Sequence, residues 1–89
     1  MTSNNLTGKN VVIIGGTAGI GLAAAQAAAA AGANVWAAGR SAGHIESAKQ
    51  VANGSFEVRQ ADTHDAASLE AIFKEVGTID HLVSIRIKE

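Results

Sequence analysis

The sequence predicts an α/β sandwich, in which a four-stranded parallel sheet carries helices on both of its faces. Short apolar runs alternate with helical patterns along the whole chain, and the connections between them are short. This alternation indicates parallel strands, because each crossover must then be a helix. A sheet that winds outward from its middle through right-handed crossovers takes the strand order 3-2-1-4. The chain has 89 residues, so we expect a single, shortened doubly wound domain over residues 1–89.

Composition excludes several classes of protein. Hydrophobic residues make up 47% and charged residues 17% of the chain, whereas disorder needs low hydrophobicity and high charge. The formal net charge of −1 gives no reason to expect a nucleic acid or an acidic membrane surface as partner. Cysteine is absent, so disulfides and thiolate sites are excluded, and the histidines lack metal-ligand spacing. With no signal-like N-terminus and no membrane-length apolar run, we predict a cytoplasmic protein.

Four segments have strand patterns. The first, NVVII, is an apolar run without polar alternation, which is typical of a strand buried on both faces of a parallel sheet. The third alternates and places Phe56 and Val58 on one face. The last ends in alternating apolar and charged residues, as a half-exposed edge strand does. The predicted strands are Asn10–Ile14, Asn34–Ala38, Ser55–Gln60 and Ile79–Ile87.

Three segments have helical patterns, and each is followed closely by a glycine that can end it. The first is rich in alanine, the best helix former. The second and third have apolar residues at helical spacing on one side. Asp65 can cap the third helix through its carboxylate. The predicted helices are Ile20–Ala31, His44–Asn53 and Asp65–Val76.

A glycine-rich turn, IGGTAGIG, joins the first strand to the first helix at residues 14–21. Gly15 permits a tight turn, Gly19 lets backbone approach a pyrophosphate, and Gly21 lets the helix lie close to the sheet. The helix N-terminus offers N–H groups and partial positive charge to phosphates, and the Thr17 hydroxyl can add a hydrogen bond. Because a buried strand precedes it and a helix follows it, we interpret the turn as dinucleotide-binding rather than merely tight.

The segment VVIIGGTAGIGLA resembles the cofactor turn of the short-chain dehydrogenase/reductase family, whose pattern is TGxxxGxG. Gly15, Gly19 and Gly21 match its three glycines, and Ile20 is included among the predicted cofactor contacts. Ile14 stands where the family usually has threonine. The resemblance implies a Rossmann-like fold and spans nearly the whole chain. It continues through NVWAAGRS at residues 34–41, ADTHD at residues 61–65 and IDHLV at residues 79–83.

The end of the second strand indicates which nicotinamide cofactor is bound. An acidic residue about 20 residues past the glycines accepts hydrogen bonds from the ribose 2′-hydroxyl and selects NAD. This chain has Gly39 there, followed by Arg40 and Ser41. Arg40 can direct two donors at a 2′-phosphate and Ser41 a third. We therefore predict NADP(H) rather than NAD(H), and the competing interpretation is that Arg40 is a solvated surface residue.

Two further contacts follow from the family resemblance alone. The resemblance implies that Asp62 bonds the adenine amino group and that Thr63 lines the adenine pocket. An equally simple interpretation of Asp62 is a turn residue at a strand end. Asp65 fits a helix cap better than a ligand contact.

The resemblance also implies hydride transfer between a nicotinamide and a carbonyl or alcohol, with a tyrosine as general acid or base, a lysine four residues later and an assisting serine. The chain has no tyrosine, and its fourth strand departs from the family's N-N-A-G at Ser84. We predict no catalytic residue and expect the chain to be an inactive part of a longer reductase, with its substrate unknown. The alternatives are a self-standing, non-catalytic nucleotide-binding or interaction module, and a flavin- or SAM-binding relative, which the GxxxGIG spacing disfavours.

The fourth strand lies at an edge of the predicted sheet. An edge strand is open to pairing with another chain. We therefore expect a homo-oligomer, formed through this strand or through apolar faces left bare.

Overall fold

The computed structural model describes residues 6–15, 17, 19–62 and 64–84. Thr63 and residues 85–87 of the predicted fourth strand lie outside the described residues. Strands and helices alternate along the described chain, as the sequence predicts. They are β1 (Asn10–Ile14), α1 (Gly19–Ala30), β2 (Asn34–Gly39), α2 (Ala42–Ala52), β3 (Glu57–Gln60), α3 (Ala66–Val76) and β4 (His81–Ser84).

The four strands form one parallel sheet in the order β3-β2-β1-β4, which confirms the predicted topology. In the register, Val12 of β1 lies between Trp36 of β2 and Leu82 of β4, and Trp36 in turn pairs with Glu57 of β3. The chain first winds outward from β1 to β3 and then returns to the other side of β1. The strand order therefore reverses at β1, and ligands of open α/β sheets bind outside the carboxyl ends of the strands at such a point.

Two hydrophobic clusters cover the two faces of the sheet. Side chains alternate along β1, so that Val11 and Ile13 belong to one cluster and Val12 and Ile14 to the other. The first cluster includes buried residues of α1 and α2, and the second includes buried residues of α3. The four apolar side chains of β1 are all buried, because helices lie on both sides of the strand. This explains why residues 11–14 are all apolar and do not alternate with polar residues.

The helix boundaries differ from the predicted ones by one or two residues. α2 begins at Ala42, two residues early, because the Ser41 side chain accepts a hydrogen bond from the His44 N–H and caps the helix. It ends at Ala52, since Asn53 has left-handed backbone angles (φ 46°, ψ 43°). Asp65 caps α3 as predicted, accepting a hydrogen bond from the Ala67 N–H at 3.1 Å.

The strand β3 is shorter than predicted. Its pairing with β2 begins at Glu57, whereas the Ser55 N–H donates to the carbonyl of Ala52 at 2.7 Å and so continues the turn after α2. Phe56 precedes the strand but is buried in the cluster beneath α1 and α2. The alternating pattern therefore identified the buried side chains correctly but placed the start of the strand too early.

The strand β4 is an edge of the sheet, as predicted, and its described residues are all exposed. Leu82 is 54% exposed and Val83 is 38% exposed. The register places Leu82 beside Val12 on the α3 face and Val83 beside Ile13 on the opposite face. Both faces of the sheet are thus less covered at β4 than at β1. No helix in the described part of the chain has the length and apolar character needed to cross a membrane.

Candidate cofactor-binding site

The turn that leaves β1 is attached directly to the end of β2. Gly15 has a φ of +88°, a backbone conformation that glycine adopts without a steric penalty. Its N–H donates to the carbonyl of Ala38 at 2.7 Å. With this conformation and hydrogen bond, Gly15 forms the start of the tight turn that the sequence predicts at this position. They also place the glycine turn next to the residues that follow β2.

The helix α1 begins at Gly19, directly behind this turn. Gly19 has a φ of +57°, and a Cβ built on it would meet no atom within 4 Å. Ile20 is 78% exposed, whereas Gly21 is buried. The first turn of α1 carries no acidic residue, so no side chain there offsets the partial positive charge of the helix N-terminus. Open space beside a glycine backbone and a positive helix end fit the approach of a diphosphate.

Thr17 points inward rather than into this open space. The side chain is only 5% exposed and packs over Gly39, the last residue of β2. The Thr17 side chain therefore connects the glycine turn to the end of β2. The predicted hydrogen bond from its hydroxyl to a phosphate stays a prediction.

Arg40 and Ser41 follow β2 on the same edge of the sheet. Arg40 is exposed, and its carbonyl accepts a hydrogen bond at 3.3 Å from Nε2 of Gln60, at the end of β3. The Ser41 hydroxyl oxygen caps α2 by accepting from the His44 N–H at 3.4 Å. Both residues are thus held by neighbouring elements, while Arg40 as a residue is exposed.

Asp62 lies just after β3 and forms a compact turn with His64. The His64 N–H donates to Asp62 Oδ1 at 2.9 Å, and the ring nitrogen Nδ1 lies 3.2 Å from the same oxygen. This backbone hydrogen bond is the main reason that the pKa of the Asp62 carboxyl lies below its ordinary value, and the positive charge of Arg40 contributes to the same effect. The Ala61 N–H donates to the carbonyl of Gly39 at 2.8 Å, so Asp62 and Arg40 each follow one of two directly hydrogen-bonded residues. Thr63, between Asp62 and His64, lies outside the described residues.

Three residues that support the site were not among the sequence predictions. Gln60 holds the Arg40 carbonyl. The Ser68 Oγ accepts from the Asp62 N–H at 3.1 Å and donates back toward the carbonyls of Asp62 and Asp65. His64 was detectable in principle, because aspartate commonly accepts a hydrogen bond from the backbone N–H two residues later. Gln60 and Ser68 carry no such local signal, since their partners come from other elements or from a loop.

The predicted contacts thus gather at one edge of the sheet. Gly15, Arg40 and Asp62 follow β1, β2 and β3, whose carboxyl ends lie side by side because the strands are parallel. This arrangement defines the chain as an α/β protein of the dinucleotide-binding class. Residues 9–85 match the family model described as short chain dehydrogenase. The chain belongs to the short chain dehydrogenase family.

Solved structures of this family have the same fold. A short chain dehydrogenase/reductase family protein is 35% identical, with a TM-score of 0.77 over 86% of this chain and 33% of its own. The citronellol catabolism dehydrogenase AtuB of Pseudomonas aeruginosa PAO1 is 31% identical, with a TM-score of 0.74 over 89% of this chain and 36% of its own.

A third structure, the RhlG/NADP active-site complex of Pseudomonas aeruginosa, is 24% identical, with a TM-score of 0.81 over 97% of this chain and 37% of its own. The chain thus spans about a third of the length of each of these three proteins. No curated protein matches it.

Proposed function

We propose that this chain is the NADP(H)-binding part of an oxidoreductase that transfers hydride between the nicotinamide and a carbonyl or alcohol. The observation that carries the proposal is the meeting of Gly15, the N-terminal end of α1 and the exposed residue Arg40 at one edge of the sheet. The turn and the helix end suit a diphosphate. When bound, the nicotinamide would supply or accept the hydride.

The preference for NADP(H) rests on charge at the end of β2. Gly39 provides no carboxylate that would repel a 2′-phosphate, and the exposed residue Arg40 follows it. Asp62, the nearby carboxylate, already accepts a hydrogen bond from the His64 backbone N–H, and the His64 ring nitrogen Nδ1 lies 3.2 Å from the same oxygen. Arg40 would thus hold the 2′-phosphate, with the Ser41 hydroxyl as a further donor. Asp62 and Thr63 would meet the adenine.

Fluorescence titration of the chain with NADPH and NADH tests this proposal. Hydrogen bonds to charged groups contribute about 1.5–3 kcal/mol. Arg40→Ala should therefore weaken NADPH binding by roughly 10- to 100-fold and leave NADH binding nearly unchanged. Lys49→Ala is the matched control, because it also removes one positive charge but lies in the last turn of α2. The proposal fails if Arg40→Ala barely weakens NADPH binding, or if NADPH does not bind the chain.

Cofactor binding without turnover is expected of this chain by itself. It contains no tyrosine, and none of the residues gathered at the site has the role of a general acid. An assay of NADPH oxidation with a panel of aldehydes and ketones should show no rate above the buffer control. Turnover of any of these carbonyls would overturn this part of the proposal. The substrate class would then have to be sought with the chain as it stands.

The exposed β4 supports a proposal about assembly. Leu82 and Val83 expose apolar surface on opposite faces of an edge strand. A second copy of the chain would either pair along the edge of β4 or pack against these bare apolar faces. Light scattering over a dilution series should then show a dimer that dissociates at low concentration. A monomer at every concentration would contradict the proposal. A cytoplasmic location, which the absence of cysteine fits, belongs to the same set of proposals.

A further inference from the structure

The contact between Thr17 and Gly39 joins two parts of the candidate site that are far apart in sequence. A Cβ built on Gly39 would overlap the Thr17 Oγ1 and would lie 2.8 Å from Cγ2 and 2.9 Å from Cβ of the same side chain. All three distances are shorter than contacts between real atoms of these types. Gly39 is not one of the glycines with a positive φ, so its backbone conformation is open to other residues. The requirement for glycine at this position is therefore steric rather than conformational.

Rotation of the Thr17 side chain cannot relieve this overlap. Turning χ1 moves Oγ1 and Cγ2 to other staggered positions but leaves the Thr17 Cβ 2.9 Å from the new atom. The side chain is also buried, so it has no open space into which to turn. A residue other than glycine at position 39 would thus require the glycine turn itself to shift. That turn is held to the end of β2 by the hydrogen bond from Gly15 to Ala38.

We propose that Thr17 is a specificity-determining residue, which excludes any side chain at position 39 and so keeps a carboxylate away from the ribose 2′-position. The inference rests on the proposed function, since it assigns the choice between NADP(H) and NAD(H) to this site. Arg40 attracts the 2′-phosphate. Thr17 excludes an acidic residue at position 39, which would accept hydrogen bonds from a 2′-hydroxyl and so favour NAD(H). Selectivity then depends on a buried packing contact as well as on an exposed charge.

A double-mutant cycle on thermal stability tests the steric part without any cofactor. Gly39→Asp should lower the unfolding midpoint by at least about 5 °C, because overpacking a tight contact is destabilising. The Thr17→Gly, Gly39→Asp double variant should have a higher unfolding midpoint than the sum of the two single effects gives. The excess should be at least half of the loss caused by Gly39→Asp alone. Gly39→Ala introduces the same Cβ with no charge and should behave in the same way. Thr17→Ala, which keeps its Cβ, should rescue less than Thr17→Gly.

The matched control is Gly43→Asp in the first turn of α2. A Cβ there would have Ser41 Oγ as its nearest neighbour, at 3.9 Å, an ordinary contact. This substitution introduces the same side chain close to the same site, and its effect should simply add to that of Thr17→Gly. If both Gly39 variants fail to fold, rescue of folding by Thr17→Gly supports the proposal. Failure of the double variants to fold, or purely additive midpoints, overturns it.

Titration with the two dinucleotides tests the specificity part. The Thr17→Gly, Gly39→Asp double variant should change the ratio of NADPH to NADH affinity by at least about tenfold in favour of NADH, because the new carboxylate repels a 2′-phosphate. Thr17→Gly alone retains Gly39 and should keep the wild-type ratio. An unchanged ratio in a folded double variant overturns the specificity role. If the wild type binds neither dinucleotide, the proposed function falls and the assigned role with it, while the stability cycle still decides the contact.

Discussion

Ser41 combines a structural role with a predicted ligand contact. Its hydroxyl oxygen accepts the His44 N–H and caps α2, while its O–H proton can still be donated to a bound phosphate. The two roles use different parts of one group, so they are compatible. They can also be separated, because an aspartate caps a helix as well as a serine does but cannot donate.

We predict that Ser41→Ala and Ser41→Asp will affect different properties. The alanine variant should lose about 0.5–1 kcal/mol of unfolding free energy, at the low end for a lost cap because the hydrogen bond is 3.4 Å long. The aspartate variant should keep its stability but bind NADPH at least tenfold more weakly, because its carboxylate would lie beside the 2′-phosphate. Urea unfolding and fluorescence titration measure the two effects.

Asp65→Ala supplies the control for this comparison. Asp65 caps α3, so its loss should lower stability by a similar amount while NADPH affinity stays unchanged. Equal NADPH affinity of wild type and Ser41→Asp would show that no 2′-phosphate lies near position 41. The cap itself was predictable, since serine three residues before the bonded N–H is a common start signal. The Thr17–Gly39 contact was not, because no sequence pattern records how a turn folds over a neighbouring strand.

At the scale of elements, α3 is attached to the sheet by a polar cluster at its C-terminal end. Glu75 accepts from Arg59 of β3 through two hydrogen bonds, Nε to Oε1 at 3.0 Å and Nη2 to Oε2 at 2.6 Å. Trp36 of β2 donates its Nε1–H to the same carboxylate at 3.2 Å. Arg59 also pairs with Glu57 at 3.1 Å. This cluster connects one helix with two strands beside the apolar contacts of Ile72 and Val76.

Because of this cluster, the free energy of unfolding should decrease at acid pH. The hydrogen bonds from Arg59 hold the pKa of the Glu75 carboxyl below its ordinary value. Glu75 therefore stabilises the fold in full above the ordinary glutamate pKa of about 4.3, and this contribution is lost as the pH falls through the lower folded-state pKa. The Arg59 and Glu75 side chains are both more than a third exposed, and solvent screening limits the contribution of their pair to about 0.5–1 kcal/mol.

Glu75→Gln should therefore be less stable than wild type by that amount at pH 7, and the difference should shrink as the pH falls below about 4. Urea unfolding of both proteins across this range measures it. Glu70→Gln, on the exposed surface of the same helix, is the control and should match wild type throughout. A difference between Glu75→Gln and wild type that stays constant down to acid pH would contradict the role of the Arg59 pair.

The elements were more predictable than the contacts between them. Periodicity identified all seven, and the apolar run of β1 correctly indicated burial on both faces. The start of β3 was wrong because a strand begins where a partner is available, and the register with β2 starts at Trp36. The Arg59–Glu75–Trp36 cluster joins three elements separated by up to 39 residues. Such a cluster depends on the final packing angles, which local patterns do not contain.

At the scale of the whole molecule, the sheet places the predicted contacts on one side of a dinucleotide. Under the proposed function, the glycine turn would face the diphosphate, Arg40 and Ser41 the ribose 2′-position, and Asp62 the adenine. None of these contacts is assigned to the nicotinamide ring. Binding energy should therefore come from the adenosine half and the diphosphate, and the chain should recognise fragments of the cofactor that contain them.

We predict that adenosine 2′,5′-bisphosphate will compete with NADPH at a concentration within about tenfold of NADPH itself, whereas nicotinamide mononucleotide will hardly compete. The bisphosphate keeps the 2′-phosphate for Arg40 and a 5′-phosphate for the N-terminal end of α1. It should also raise the unfolding free energy, by about 2.7 kcal/mol at 100 times its dissociation constant. 5′-AMP, which lacks only the 2′-phosphate, is the control. Its affinity for the wild type should equal the affinity of the bisphosphate for Arg40→Ala. Competition by nicotinamide mononucleotide as strong as that of the bisphosphate would place the principal contacts at the other end of the cofactor, and the site would then have to be sought beyond the carboxyl ends of β2 and β3.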